Sequence, residues 1–427
     1  MLDPGALELT VGSVAAGGGC VARAPDGRVV FVRHSLPGER VRARVTSETR
    51  SFLRADAVEV LEPSSDRVAP PCPHAGPGRC GGCDFQHVAL PAQRRLKADL
   101  VAEQLSRLAG LDLRVPVEEV PGAASGLGWR TRVSYAVDRK GRTGLHRHRS
   151  HDVEPVDHCL IATTAVDEVA AGSLSWPGAG RIEVMASPEG GPPAVLFDTG
   201  AGRPAPGGGP TVGERALRVA DHVVFEVLGN RFTVHAGVFW QVHPGIAAVL
   251  TLAVLDGAGV RPGERVADLY AGAGLFSVGL ARAVGPTGMV TAVERSTAAV
   301  EDLRRNVAGL RQVEVVRAAV DPALVSGRLG RPDLVVLDPP RAGAGRPVVG
   351  ALARLAPGLG RIAYVSCEPA PFARDLRILL DAGWSLASLR AFDAFPMTEH
   401  VELVGIVESP VHGAGRTAGR HRRLHPS

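Results

Sequence analysis

The chain has 427 residues, 45% hydrophobic and 22% charged, with a formal net charge of +4. That length predicts two or three domains. The composition excludes global disorder, and the charge excludes a polycation that holds nucleic acid by bulk electrostatics alone. Lys97 and Lys140 are the only lysines, so any phosphate recognition falls to local arginine patches, whose planar forks donate bidentately.

Met1-Leu-Asp-Pro-Gly5 lacks the basic start and apolar core of a secretory leader, and no stretch approaches the ~20 apolar residues of a membrane helix. The expectation is a cytoplasmic protein with no membrane contact, and nothing in the sequence calls for an obligate protein partner. In a reducing compartment the six cysteines read as ligands or nucleophiles, not as bridges.

Residues 1–62 predict five short strands of alternating polarity between Gly, Pro and Asp turns, the pattern of an OB-like β-barrel. Arg40, Arg42 and Arg44 alternate along one strand and are expected to form a phosphate-binding face. Residues 63–220 predict a small α/β central domain. Its first part, Pro70 to His87, is loop-like and carries Cys72, Cys80 and Cys83. The two-residue gap between Cys80 and Cys83 is typical of metal ligation. Cys159 supplies a fourth thiolate, because Cys20 belongs to the barrel. Spacing alone leaves zinc and a four-iron cluster both open. A helix is expected over Gln93–Leu108, then a strand from Trp129 to Val137 and a basic hairpin through Arg139–Arg149 that suits a nucleic-acid backbone. Gly200–Gly209 reads as a mobile loop.

From 221 to 410 strands alternate with helices, as a Rossmann-like, doubly wound parallel sheet requires. Residues 411–427 are rich in Gly, Arg and His and predict a disordered basic tail. The Gly272/Gly274 turn follows one strand, and Glu294 ends the next. Such glycines let backbone approach a ligand, and the acid accepts hydrogen bonds from ribose hydroxyls. Ser277 stands where a dinucleotide fingerprint would have a third glycine. Asp268 would repel a phosphate but suits the cationic S-adenosylmethionine.

Two later strands end in Asp338-Pro-Pro-Arg341 and in Cys367-Glu-Pro369, and Phe395-Pro-Met-Thr-Glu-His-Val-Glu402 follows. A nucleophilic cysteine, a proton acceptor in Glu402 and a methyl donor solve one chemical problem well. Carbon 5 of uracil is not nucleophilic until a thiolate adds to carbon 6. The enolate then takes the methyl group, a base removes the carbon-5 proton, and the thiol leaves.

Over nearly its whole length the chain resembles the RNA uracil-5-methyltransferases, the tRNA and 23S ribosomal RNA m5U enzymes. The match runs through a TRAM-type barrel, the Cys72/Cys80/Cys83/Cys159 set and Phe239-Trp-Gln241-Val. It continues through Asp268-Leu-Tyr-Ala-Gly272, Asp338-Pro-Pro-Arg341, Ser366-Cys367-Glu-Pro and Phe395-Pro…His400-Val-Glu402. The resemblance implies a class I S-adenosylmethionine-dependent fold and a structured RNA partner, rRNA or tRNA. It implies that Cys367 is the nucleophile and Glu402 the base, while Glu399 is not the matching position. It further implies that Gln241, Tyr270, Glu294 and Asp338 contact the methyl donor, and that the four cysteines hold a [4Fe–4S] cluster. Two features depart from the family: seven residues, not five, separate Cys72 from Cys80, and Ala318-Ala319 replaces a polar position after the third strand. Two competing readings are an amino-group methyltransferase built on Asp338-Pro-Pro and a non-catalytic RNA-binding protein on the same fold.

Overall fold

The computed structural model describes residues 6–170, 179–198, 211–212, 215–216, 220–356 and 358–410. The loop expected over Gly200–Gly209 and the tail 411–427 lie outside the described residues.

The five predicted N-terminal strands form as Ala6–Thr10, Cys20–Arg23, Val29–Arg33, Arg40–Glu48 and Phe52–Glu62, in the sheet order first, fourth, fifth, third, second. Side chains alternate across a strand, so Val30, Val32, Val41, Ala43, Leu53 and Ala55 turn inward to one core. Arg40 and Arg42 turn outward, but not as a free phosphate face. Arg40 pairs with Glu62 at 2.9 Å and Glu8 at 3.4 Å, and Arg42 pairs with Glu59 and Glu8. Cross-strand acids neutralise that face, a pairing that strand order decides and one strand's sequence does not reveal.

The second sheet is antiparallel, in the order Ala194–Asp198, Arg181–Met185, Arg132–Val137, Thr143–His146, Val153–Pro155. It covers a core around Trp129, Tyr135, Ile182 and Val184. The basic segment expected to form a hairpin does connect Arg132–Val137 to Thr143–His146.

The third sheet has eight strands in the order Val313–Arg317, Met289–Glu294, Arg265–Leu269, Leu334–Leu337, Arg361–Ser366, Glu402–Glu408, Ser385–Asp393, Val117–Glu119. The first five are mutually parallel, and Glu402–Glu408 runs antiparallel to both its neighbours. Leu334–Leu337 and Arg361–Ser366 are buried at every residue, as expected for strands covered on both faces by helices.

The segment from 90 to 119 departs from expectation. Its helix runs Leu90–Gln104, continues as a π-turn over Leu105–Ala109 and stops at left-handed Gly110. Leu105, Ala109, Val115 and Val117 enter the same core as Leu376 and Leu379, and Val117–Glu119 extends the third sheet. Leucines at helical spacing reveal a buried face but not what it packs against. Lys97 is fully buried on this helix; its ammonium meets Asp393 at 2.5 Å and the Phe395 carbonyl at 2.9 Å. Replacing one partner of such a pair leaves a buried charge alone. Lys97→Met is therefore expected to destabilise by about 3–5 kcal/mol, read as a lower midpoint in urea, with Lys97→Met/Asp393→Leu recovering part of the loss.

No helix among the described residues is long and apolar enough to cross a membrane.

Candidate active site

The carboxyl ends of Arg265–Leu269 and Leu334–Leu337 lie side by side. The chain leaves the first toward Met289–Glu294 and the second toward Arg361–Ser366, in opposite directions across the sheet. That switch point opens the crevice in which doubly wound folds bind ligands.

One wall of the crevice is the turn after Leu269. Tyr270, Gly272 and Gly274 all have left-handed backbones, with φ of 64°, 54° and 97°. Only glycine adopts this region without penalty, so a tyrosine there is held by its surroundings. A Cβ on Gly274 would sit 2.8 Å from Leu303, whereas one on Gly272 would point into open space. Gly274 therefore serves packing, and Gly272 keeps backbone open to a ligand. Glu294 closes the turn: Oε2 accepts the Gly272 N–H at 3.1 Å, and Oε1 accepts those of Arg295 and Ser296 at 2.7 Å. Asp268, expected to suit a cationic methyl donor, already has a partner within the chain. It is buried and accepts the Ser277 hydroxyl across the first turn of helix Leu275–Val284. Burial pushes its carboxyl up to about 7, with Asp338 and Glu294 adding to the rise.

The other wall gathers the residues singled out at the later strand ends. Gln241 donates its side-chain N–H to Asp338 Oδ2 at 3.5 Å. Burial raises the Asp338 carboxyl to about 7. Glu402 starts its strand fully enclosed, and its Oε2 has no hydrogen-bond partner among the described residues. Burial, then Asp338, then Glu368 hold its carboxyl well above the usual range, and Arg341 opposes them. Burial pushes the half-buried Cys367 thiol up to about 12, reinforced by Glu402, Asp338 and Glu368 and again opposed by Arg341. Glu402 and Asp338 thus lie close enough to Cys367 to raise its thiol, and Asp338 close enough to Glu402 to raise its carboxyl. Tyr270 lies outside this group: burial and Asp375 raise its phenol to about 12.

Several contributors had no role assigned from the sequence. Arg341 donates Nε and an NH2 to one Glu368 oxygen at 3.0 and 2.5 Å and contacts the His400 ring, making a polar rim beside Cys367. The loop before Glu402 is pinned from the cysteine-bearing segment. Phe85 N–H donates to the Met397 carbonyl at 2.9 Å, and Gln93 accepts the Met397 N–H at 2.8 Å. Met397 has a φ of 68°. Gly17, in the N-terminal domain, donates its N–H to Glu399. Gln93 could have been flagged only as a polar residue on a buried helical face. Phe239 is 63% exposed beside the buried Trp240, which stacks on Phe225.

The four expected ligand cysteines are free thiols in one neighbourhood. Burial raises Cys80 to about 11, with Cys159 and Cys72 adding to it, and Cys83 rises through burial with help from Cys159 and Cys80. Cys80 sulfur accepts the Gly82 N–H and Cys83 sulfur accepts the Gln86 amide, both at 3.4 Å. Among the described residues no group of three or more His, Cys, Asp or Glu side chains is arranged to hold a single metal ion.

A crevice at the switch point, an open glycine turn closed by an acid, and buried carboxyls at the strand ends define a class I S-adenosylmethionine-dependent methyltransferase. The TRAM domain family matches residues 6–58, the methyltransferase small domain residues 229–355, and the tRNA (uracil-5-)-methyltransferase family residues 331–409. The chain is 46% identical to an RNA methyltransferase of Streptomyces coelicolor, over 95% of this chain and 93% of the relative. It is 33% identical to the 23S rRNA (uracil(1939)-C(5))-methyltransferase of Halomonas elongata, over 95% of this chain and 90% of the relative. In fold it is similar to the tRNA (uracil-54, C5)-methyltransferase of Pyrococcus abyssi, solved with S-adenosyl-L-homocysteine: TM-score 0.69, 21% identity, 94% of this chain and all of the other. The chain belongs to the RNA uracil-5-methyltransferase family.

Proposed function

We propose that the protein methylates carbon 5 of a uridine in structured rRNA or tRNA through a covalent adduct on Cys367. The Cys367 thiolate adds to carbon 6, and the carbon 5–carbon 6 π pair moves toward oxygen 4. The enolate carbon 5 takes the methyl group of S-adenosylmethionine, releasing S-adenosylhomocysteine. Glu402 accepts the carbon-5 proton, the double bond re-forms, and the thiolate departs. One methyl group is transferred and one proton released. The observation that carries this reading is the convergence of Cys367 with the unpartnered Glu402 carboxyl beside Asp338. Gln241, Tyr270, Glu294 and Asp338 are the proposed contacts of the methyl donor. A sulfonium cation bound beside Asp338 and Asp268 favours their charged forms against the burial that raises both carboxyls. A base stacked in a helix hides both faces, so the uridine must flip out; exposed Phe239, next to Trp240-Gln241, offers it a ring to rest on.

We also infer a [4Fe–4S] cluster on Cys72, Cys80, Cys83 and Cys159. Four sulfurs around one zinc at ~2.3 Å would lie about 3.8 Å apart. In a four-iron cluster each thiolate takes its own iron. Cys72 and Cys159 are near enough to Cys80 to raise its thiol, as Cys159 and Cys80 are to raise that of Cys83. The N–H groups of Gly82 and Gln86 aimed at sulfur fit charged thiolates. The cluster supplies a rigid mount for the segment that pins Met397, and the methylation chemistry runs through none of its irons. The proposed division is an RNA-binding barrel at 1–62, a cluster-bearing part at 63–220 whose segment 98–119 packs into the catalytic core, a catalytic part at 221–410 and a basic tail at 411–427.

The test is nucleoside mass spectrometry of RNA lacking 5-methyluridine after incubation with the protein and S-adenosylmethionine. Appearance of 5-methyluridine supports the reading. A base methylated on nitrogen would instead favour an amino-group enzyme built on Asp338-Pro-Pro, and RNA binding without product a non-catalytic protein.

A further inference from the structure

A cavity of about 470 Å³ lies where the N-terminal sheet meets the turn between Thr143–His146 and Val153–Pro155. Phe31, Arg33 and Arg54 line it from one side, and Arg147, His148 and Arg149 from the other. Two of the four arginines are already matched: Arg33 with Asp84 at 3.4 Å and Arg147 with Glu154 at 3.0 Å. Arg54 and Arg149 have no carboxylate partner among the described residues, although they are close enough for Arg149 to depress the Arg54 pKa, after burial. The wall also carries Asp56 and Asp152. Asp56 faces Arg33 and Arg44, so it does not answer the charge of the unpaired arginines.

Arg54 is also held in place. Its guanidinium carbon lies 5.2 Å from the Phe52 ring centre and 5.7 Å from that of Phe31. Stacking on an aromatic face fixes the guanidinium plane while leaving its edge donors free. Two like charges, one fixed on a ring and one on the facing turn, repel across the cavity unless an anion lies between them.

We propose that this junction is a second RNA site, where Arg54 and Arg149 grip one backbone phosphate from two different parts of the chain. This rests on the RNA reading above. Gly17 lines the same cavity and donates its N–H to Glu399, three residues before Glu402. RNA held here therefore lies against the support of the catalytic loop and sets which nucleotide reaches Cys367. Its contribution is to binding and register rather than to chemistry.

Association with a fluorescein-labelled RNA hairpin, measured between about 50 and 200 mM salt, tests this, because backbone contacts are independent of sequence. Arg149→Asn removes the charge yet tolerates the left-handed backbone (φ 52°) at that position. Arg54→Gln removes the other. Each is expected to flatten the slope of log K against log salt by about 0.9, the value for one phosphate, and to weaken binding at 150 mM by about fivefold. The double variant should add little, since both arginines share one phosphate. The KM for RNA should rise with kcat unchanged. Arg42→Gln, whose residue already pairs with Glu59, should leave the slope as in the wild type. If Arg54→Gln perturbs the N-terminal core, Arg149→Asn alone decides. A wild-type slope in Arg149→Asn overturns the site while leaving methylation standing, whereas a wild-type protein that binds no RNA overturns both.

Discussion

Cys367→Ala is expected to lose methyl transfer to the limit of detection while still binding S-adenosylmethionine. Among the described residues Cys367 is the cysteine whose titration Glu402 and Asp338 affect, and carbon 5 of uracil has no other route to nucleophilicity here. The thiol is small and half-buried, so its loss should cost little stability; binding by calorimetry and thermal unfolding separate lost chemistry from lost fold. The same group predicts a pH dependence. Its pKa stands at about 12, raised by burial and by three neighbouring carboxyls. Only the thiolate attacks, so below that pKa the reactive fraction grows tenfold for each pH unit. Alkylation of Cys367 by iodoacetamide, followed on its own peptide, should therefore climb steeply between about pH 7 and 9. S-adenosylmethionine should accelerate it at fixed pH relative to S-adenosylhomocysteine. The two differ by the sulfonium charge and its methyl group, and a cation beside Asp338 and Glu402 favours the thiolate. Equal rates with the two cofactors would remove the cation from the activation of Cys367.

How far the sequence foretold this site depends on the range of the interaction concerned. Asp338 and Cys367 each end an apolar run, and alternation with helices is enough to place both at the same edge of a parallel sheet. The Gly272 and Gly274 turn was legible for the same reason, since its backbone demand is local. The partner of Asp268 was not legible, because the hydroxyl it accepts, that of Ser277, sits in the following helix and a strand pattern does not reveal it. The arginine face of the N-terminal sheet failed at longer range: Glu8, Glu59 and Glu62 reach Arg40 and Arg42 only once strand order is fixed. Longest of all is the link from Gln93 and Lys97 to the loop at 393–397, about 300 residues away. No periodicity carries such a contact. That link assigns the segment after the cysteines to the support of the catalytic loop, a role that its position in the chain conceals.

Glu402→Gln should stall the enzyme after methyl transfer and leave RNA covalently attached to Cys367. Glutamine keeps the shape of the side chain but accepts no proton, so carbon 5 keeps its hydrogen and the thiolate cannot be expelled. A fall in turnover of about 10²–10⁴ is expected, the usual contribution of a general base. The attached species should survive denaturation and appear in mass spectrometry as a Cys367 peptide bearing a 5-methylated uridine fragment. The structure also bears on which step suffers. Glu402 Oε2 is enclosed without a partner among the described residues, and burial holds its carboxyl well above the usual range. On the proposed mechanism it acts in its ionised form, which a nearby sulfonium cation favours, and the methyl group then leaves that cation for carbon 5. Acid and donor are therefore coupled: the charge that readies Glu402 is consumed in the step before Glu402 acts. Release of the methyl group leaves a neutral thioether, the carboxylate loses its counter-charge, and its affinity for a proton rises as the carbon-5 proton must depart. If Glu402→Gln turns over at the wild-type rate with no adduct, that proton leaves by another path, and the isolation of the Glu402 carboxyl serves some other purpose.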